Sequence, residues 1–189
     1  MWVSNPIMAS YSVIQGLNKS FLQELQSAGS ALILIRKFDP VQMGRMNEEE
    51  RKRKDLSLDD AAAIERNCPL LKAVTVSLNV SPFEPVDIKY RNIKSENSLI
   101  LGTDEKFSVV YSLYLPKEGR FLTGSEIAHS SRSCVLGFDL AEILFPNMSA
   151  LGKEIRVGPE KFTVVGVLSK RGQMFGQSRD NFVGLPITT

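Results

Sequence analysis

Residues 118–168 constrain the fold most, because short apolar strands, glycines and one compact helix follow each other there in a fixed order. Residues 133–137 form a brief apolar run that predicts a strand, and residues 138–145 predict a helix that Pro146 ends. Residues 153–157 and 161–168 then alternate apolar and polar side chains around a Gly-Pro-Glu turn, which predicts a β-hairpin. Strands and a helix mixed in this way indicate an α+β domain.

The flanking segments add further elements. Residues 12–28 place apolar side chains at three- and four-residue spacing, which predicts an amphipathic helix, and residues 31–38 predict a strand buried on both faces. Ser57, with Asp60 three positions on, is typical of a capped helix start. Alternation over residues 74–80 predicts a strand with one buried face. We expect further strands at 86–90, 98–103 and 181–189, and a short helix within 107–115.

The composition is that of an ordinary folded domain, with 43% hydrophobic and 23% charged residues among 189. A net charge of +2 is too small to gather nucleic acid or an anionic membrane, so neither is expected as a partner. Residues 48–50 are acidic and residues 51–54 are basic, so their charges largely neutralise each other. This mixed polar run predicts a solvated loop within 39–55. No apolar run approaches the roughly 20 residues that span a bilayer, and residues 1–10 do not resemble a signal peptide.

The cysteines and the histidine give little support for a metal site. Cys68 and Cys134 are too few for a disulfide framework, and a zinc site would need His129, the only histidine, to join them. The two cysteines permit one disulfide in an oxidising compartment. We favour two separate thiols, because Cys134 lies in an apolar run and burial is common for cysteine. No metal is predicted.

A hydrolase would have to use His129 with Ser130 or Ser131, and with Asp139 nearby in sequence. No Gly-x-Ser-x-Gly turn carries a serine, so an exposed loop histidine is favoured over a catalytic one. A phosphate-binding loop is also missing, since no Gly-Lys-Ser or Gly-Lys-Thr occurs. We therefore assign no catalytic, cofactor-binding or metal-binding residue, and expect no cofactor.

Three other groups of polar or aromatic residues have structural explanations. The acidic pair at 59–60 lies at a predicted helix N-terminus, which favours negative charge, and the pair at 104–105 lies in a turn. The aromatic side chains of Phe107, Tyr111 and Tyr114 either form a ligand platform or pack in the core, and we favour packing.

Taken in order, six short segments resemble one known family. They are residues 118–121, 133–137, 144–145, 151–153, 162–168 and 183–186. In this order they resemble the periplasmic core domain of MacB-type ABC transporter permeases. The resemblance implies two lobes: a porter-like lobe of mixed helices and strands at 1–115 plus 174–189, and an inserted, smaller sabre-like lobe at 116–173.

The resemblance also implies what such a domain does. It implies a non-catalytic extracytoplasmic domain of an inner-membrane permease, which transmits the effect of cytoplasmic ATP hydrolysis and docks a membrane-fusion adaptor. Substrates would pass from this adaptor to an outer-membrane exit duct, a further implied partner. Transmembrane helices are then expected just before Tyr11 and soon after Thr189. The parent protein would be a homodimer, and the isolated domain a monomer. A lipoprotein-releasing or cell-division-type permease and a free-standing binding module remain as alternatives.

Two glycines and one arginine in these segments have predicted structural tasks. Gly119 allows a tight bend into the second lobe, and Gly166 permits a turn or a close backbone approach. Arg120 is expected to anchor the lobe junction through a carboxylate or a carbonyl, with a plain surface ion pair as the alternative.

Overall fold

The computed structural model describes residues 32–37, 52–80, 86–174 and 177–189. The chain divides into two compact units, residues 1–60 and 61–189. The predicted helix over 12–28 and most of the predicted loop over 39–55 lie outside the described residues.

In the first unit, residues 32–37 do not form the buried strand that their apolar run predicts. The structure assigns them no strand, and Ile33 and Ile35 are 72% and 53% exposed. Lys37 instead pairs with Asp55 at 2.5 Å, and its carbonyl accepts a hydrogen bond from Arg53 at 3.1 Å. An apolar run favours burial but does not supply a hydrogen-bonding neighbour, and no described residue pairs with this segment as a strand.

Helix α1, Leu58–Asn67, begins as predicted. Ser57 Oγ accepts a hydrogen bond from the Asp60 N–H at 3.2 Å, and Asp60 Oδ2 accepts one from the Ser57 N–H at 2.9 Å. This reciprocal cap satisfies two backbone donors that have no partner within the helix. The cap gives Asp60 of the acidic pair a structural task, and the hydrogen bonds from Ser57 lower the pKa of Asp60.

The second unit contains the other elements. Its strands are β1 Ser77–Val80, β2 Ile88–Tyr90, β3 Ile93–Ser95, β4 Leu99–Thr103, β5 Pro116–Gly119, β6 Ser133–Leu136, β7 Glu154–Val157, β8 Glu160–Leu168, β9 Gln173–Met174, β10 Gln177–Ser178 and β11 Phe182–Pro186. Its short helices are α2 Phe107–Val110, α3 Gly124–Ala128 and α4 Phe138–Leu144. The predicted strands near 86–90, 98–103, 133–137, 153–157, 161–168 and 181–189 are confirmed, as are the helices near 107 and 138. A strand also forms within 74–80, but Leu78 is 56% exposed, so the buried face predicted for this strand is wrong there. Elements β3, β5, β9, β10 and α3 were not predicted.

Nine of the described strands form one mixed sheet in the order β1-β4-β11-β6-β8-β7-β2-β3, with β5 paired to β8. The pairs β4–β11 and β6–β8 are parallel, and the other pairs are antiparallel. Strands β4 and β11 come from the predicted porter-like segments and β6 from the predicted insert, so the sheet crosses the predicted lobe boundaries. The division at 116 and 173 stays a prediction.

Apolar side chains cover both faces of this sheet at β6. Leu136, Leu140 and Ile155 belong to a cluster on the side of α4. Phe107 and Leu168 belong to a second cluster. Successive residues of strand β6 enter different clusters, as the alternation of a strand requires: Cys134 and Leu136 lie in the first and Val135 in the second. The mixed sheet, the short helices and the two clusters confirm the predicted α+β class.

Candidate functional site

The structure does not bring the hydrolase candidates together. His129 is exposed after α3, with Nδ1 2.8 Å from the Ser125 carbonyl oxygen. Ser130 Oγ donates to the Thr188 carbonyl at 2.9 Å, and Asp139 Oδ2 accepts from Ser178 Oγ at 2.6 Å. None of these bonds joins a histidine, a serine and an acid into a relay, so this geometry does not activate a nucleophile.

The acidic pair at 104–105 also has a structural task. Asp104 Oδ1 accepts hydrogen bonds from Thr75 Oγ1 at 2.5 Å and from the Lys106 N–H at 3.1 Å, and Oδ2 accepts one from the Val76 N–H at 3.2 Å. The segment before β1 is thereby attached to the end of β4. Burial raises the pKa of Asp104. Among the described residues, no three His, Cys, Asp or Glu side chains are placed to hold a metal ion.

The three aromatic residues pack in the second cluster, as favoured from the sequence. The Phe107 ring lies 4.6 Å from Tyr111, 4.7 Å from Tyr114 and 6.1 Å from Phe121, measured between ring centroids. Phe107 and Phe121 are buried. These tilted, edge and stacked contacts are those of a close-packed core, with no open face for a ligand on Phe107.

A buried ion pair next to this cluster was missed from the sequence. Arg171 and Asp180 flank the β9–β10 hairpin, and their side chains are only 8% and 1% exposed. Arg171 Nη2 also donates to the Arg179 carbonyl, and the guanidinium lies 3.9 Å from the Tyr114 ring centroid. Nothing in the local sequence indicates this pair, because charged residues in a polar stretch are usually exposed.

Arg120 binds both kinds of group that the sequence suggested for it. Its Nη1 and Nη2 donate to the two Glu126 carboxylate oxygens at 2.7 and 2.9 Å, and Nη1 also donates to the Phe121 carbonyl at 3.0 Å. Glu126 in turn completes a capping box with Thr123 at the start of α3. Arg120 foremost, and then Thr123, lower the pKa of Glu126 to about 2. The sequence signal for this cap was Thr123-x-x-Glu126.

Helix α3 also holds the last residues of the chain. Thr188 Oγ1 donates to the Ile127 carbonyl at 2.5 Å, and the Thr188 carbonyl accepts from Ser130 Oγ. The Arg120 N–H donates to the Val165 carbonyl of β8 at 3.0 Å. We call Arg120, Thr123, Glu126, Ile127 and Thr188 the α3 anchor. It connects the residues after β11 to β8 through one short helix.

Comparison with known proteins gives a consistent family. The model of the MacB-like periplasmic core domain matches residues 7–189. Macrolide export ATP-binding/permease proteins MacB from Bdellovibrio bacteriovorus and Marinobacter nauticus are 28% and 27% identical over 174 and 184 residues, or 92% and 97% of this chain. The alignments cover 26% and 27% of those proteins, so the chain spans about a quarter of the curated relatives it matches.

Solved structures share the fold. The periplasmic region of MacB from Actinobacillus actinomycetemcomitans superimposes with a TM-score of 0.59 at 20% identity, over 76% of this chain and 62% of that one. The extracellular domain of the noncanonical ABC-type transporter YknZ from Gram-positive bacteria gives 0.57 at 20% identity, over 70% and 63%. In the described part of this chain, no helix has the length and apolar character needed to cross a bilayer. Because the family model spans residues 7–189, the chain belongs to the MacB-like periplasmic core domain family.

Proposed function

We propose that this chain is the extracytoplasmic domain of an ABC transporter permease of the MacB efflux type, and that it takes part in export without catalysing a reaction. The observation that supports this most is the family match over residues 7–189. The curated relatives are named as ATP-binding/permease proteins of macrolide export, and this chain spans about a quarter of their length. ATP would then be bound and hydrolysed by a separate nucleotide-binding domain of the parent protein.

The domain would work by mechanical coupling. Nucleotide-driven closure in the cytoplasm would move the transmembrane helices, and this domain would convert the movement into a displacement outside the membrane. Coupling of this kind needs packed elements that move as rigid bodies. The α3 anchor supports such a role, because bidentate and backbone hydrogen bonds join β8, α3 and the residues after β11.

The partners follow from the same proposal. The porter-like lobe, 1–115 plus 174–189, and the sabre-like lobe, 116–173, would together dock a membrane-fusion adaptor, which leads to an outer-membrane exit duct. The parent permease would be a homodimer in the inner membrane, whereas the isolated domain would be a monomer. These assignments are supported by the resemblance to MacB-type permeases.

A related permease that releases lipoproteins or acts in cell division is the second candidate. The match to an extracellular domain from Gram-positive bacteria favours keeping it, because a cell without an outer membrane has no outer-membrane duct. The fold alone is thus compatible with more than one cargo. Measuring macrolide resistance and lipoprotein release in the same deletion strain separates the two.

The parent reading frame is the first test. We expect a transmembrane segment just before Tyr11 and several soon after Thr189, and stop codons directly flanking this chain would overturn the proposal in favour of a free-standing module.

The second test uses the parent permease in membranes. Arg120→Ala should reduce export while ATP hydrolysis is retained, whereas Arg132→Ala, which removes an exposed pair with Glu160, should leave both unchanged. Equal loss of export by both variants would contradict a coupling role for the α3 anchor.

A further inference from the structure

Four basic side chains lie in one row across the sheet. Lys94 of β3 is paired with Lys89 of β2, Lys89 with Arg156 of β7, and Arg156 with Lys161 of β8. Residues directly opposite each other in antiparallel strands project from the same face. The neighbouring residues Ile88, Ile155 and Phe162 are buried on the other face, so the row lies on the solvent side. We call these four residues the basic row.

The row is unfavourable for folding, because like charges directly opposite each other on a sheet repel. Nearby acids compensate the three lysines of the row. Asp87 pairs with Lys89 at 3.1 Å and with Lys94 at 2.8 Å, and Glu154 pairs with Lys161 at 2.6 Å. The side chain of Arg156, between Lys89 and Lys161, is exposed and has no hydrogen bond or ion pair with any residue that the structure describes.

An arginine in this position is suited to bind a carboxylate. Its guanidinium presents a planar fork of donors that two carboxylate oxygens can accept together, and the flanking lysines add to the local positive potential. Ion pairs compensate the three lysines of the row but not Arg156, and such departures from the rules of sheet pairing concentrate at functional positions.

We propose that the basic row docks an acidic segment of a protein partner, with a carboxylate of that segment held by Arg156 between Lys89 and Lys161. A protein segment fits better than a lipid surface or a nucleic acid, because Asp87 and Glu154 lie beside the row and repel a uniformly anionic surface. A protein segment can place carboxylates opposite the cations and neutral or basic side chains opposite the acids. Only the identification of this partner with the membrane-fusion adaptor rests on the proposed function.

The test uses the purified 189-residue chain and a fluorescent synthetic peptide with alternating Glu and Thr, so it does not depend on the adaptor or on export. Binding is measured by fluorescence anisotropy at low and at physiological salt. Arg156→Gln should weaken binding about tenfold, and Arg156→Lys should weaken it less, because the charge remains but the fork is lost. Arg66→Gln, which removes the same charge from the exposed last turn of α1, should change binding less than about twofold.

Two further measurements decide between docking and other roles. The urea midpoint of Arg156→Gln should equal or exceed that of the native chain, since the substitution relieves repulsion, and a lower midpoint would assign Arg156 a structural task instead. Any binding of vesicles containing phosphatidylglycerol should be unaffected by Arg156→Gln. The proposal is overturned if the native chain binds the Glu peptide no better than a Gln peptide. It is also overturned if Arg156→Gln and Arg66→Gln weaken binding equally, or if Arg156 controls vesicle binding rather than peptide binding.

Discussion

The Arg171 guanidinium and the Asp180 carboxylate form an ion pair that is almost wholly buried, with Nε and Oδ1 3.0 Å apart. The second oxygen of Asp180, Oδ2, accepts the backbone N–H groups of Arg171 at 2.7 Å and Gly172 at 2.8 Å. One carboxylate therefore satisfies three donors and closes the base of the β9–β10 hairpin. A pair of this kind need not stabilise the fold more than apolar residues would, but removing one partner leaves a charge buried alone.

Asp180→Ala should therefore lower the free energy of unfolding by about 3–5 kcal/mol, because the Arg171 charge and two backbone donors lose their acceptor. Urea unfolding followed by circular dichroism measures this. Asp59→Ala is the matched control: it removes an exposed carboxylate from the first turn of α1 and should cost less than about 1 kcal/mol. Similar losses of unfolding free energy in the two variants would show that the Arg171–Asp180 pair does not hold the base of the β9–β10 hairpin.

Glu126 should make stability depend on pH in an acidic window. Its pKa is about 2 in the folded chain, mainly because Arg120 binds the carboxylate, against an ordinary value of 4.5. A depressed folded-state pKa adds stability that is fully present above pH 4.5 and is lost as pH falls toward 2. Because Arg120 is 51% exposed, water screens the pair, and we expect this contribution to be about 1–2 kcal/mol.

Glu126→Gln isolates this contribution. The difference in unfolding free energy between the native chain and the variant should shrink as pH is lowered from 5 toward 2, approximately between the two pKa values. Glu142→Gln changes an exposed glutamate of α4 and should show no such trend. If the unfolding free energies of the native chain and of Glu126→Gln change in parallel between pH 5 and 2, the Arg120–Glu126 pair does not stabilise the fold.

The elements that the sequence predicted are those whose signals are local. Ser57 and Asp60 cap α1 three positions apart, and the hairpin of β7 and β8 is defined by alternation around one turn. Strand β5 was missed because Pro116 and its charged neighbours do not read as a strand. Its pairing is nevertheless possible, since β8 is the one described strand that pairs with β5, and a proline is tolerated at the start of such a strand.

The contacts of the candidate site also divide into those with a local sequence signal and those that only the fold brings together. The α3 anchor contains one local signal, Thr123-x-x-Glu126, which a search for capping boxes would have found although Gly124 weakens the helix. The Arg171–Asp180 pair spans a hairpin, and the basic row depends on the pairing of β2 with β7, which lie far apart in the sequence. Contacts of this second kind are set by the fold, so no pattern within a short window predicts them.

Gly166→Ala should destabilise the domain, because β8 passes too close to β5 and the turn after it. A Cβ at this position would lie 2.0 Å from the Arg120 carbonyl oxygen, which is backbone and cannot rotate away. Overpacking of this kind costs about 1–3 kcal/mol or more, measurable as a lower urea midpoint. Gly124→Ala is the control, since its Cβ would meet only the Glu105 side chain at 3.7 Å. We expect that variant to be neutral or slightly more stable.

The two cysteines should differ sharply in reactivity. Both are free thiols, but Cys68 is exposed after α1 whereas Cys134 is fully buried in β6, and burial raises the pKa of the Cys134 thiol. Because the thiolate is the reactive form, a disulfide reagent should titrate one thiol at once in the native chain and the second only when urea unfolds it. In Cys68→Ser the rapid phase should vanish while the urea-dependent phase remains. A rapid reaction of Cys134 in that variant would mean that the central sheet opens around β6 under native conditions, which contradicts the buried position of this strand.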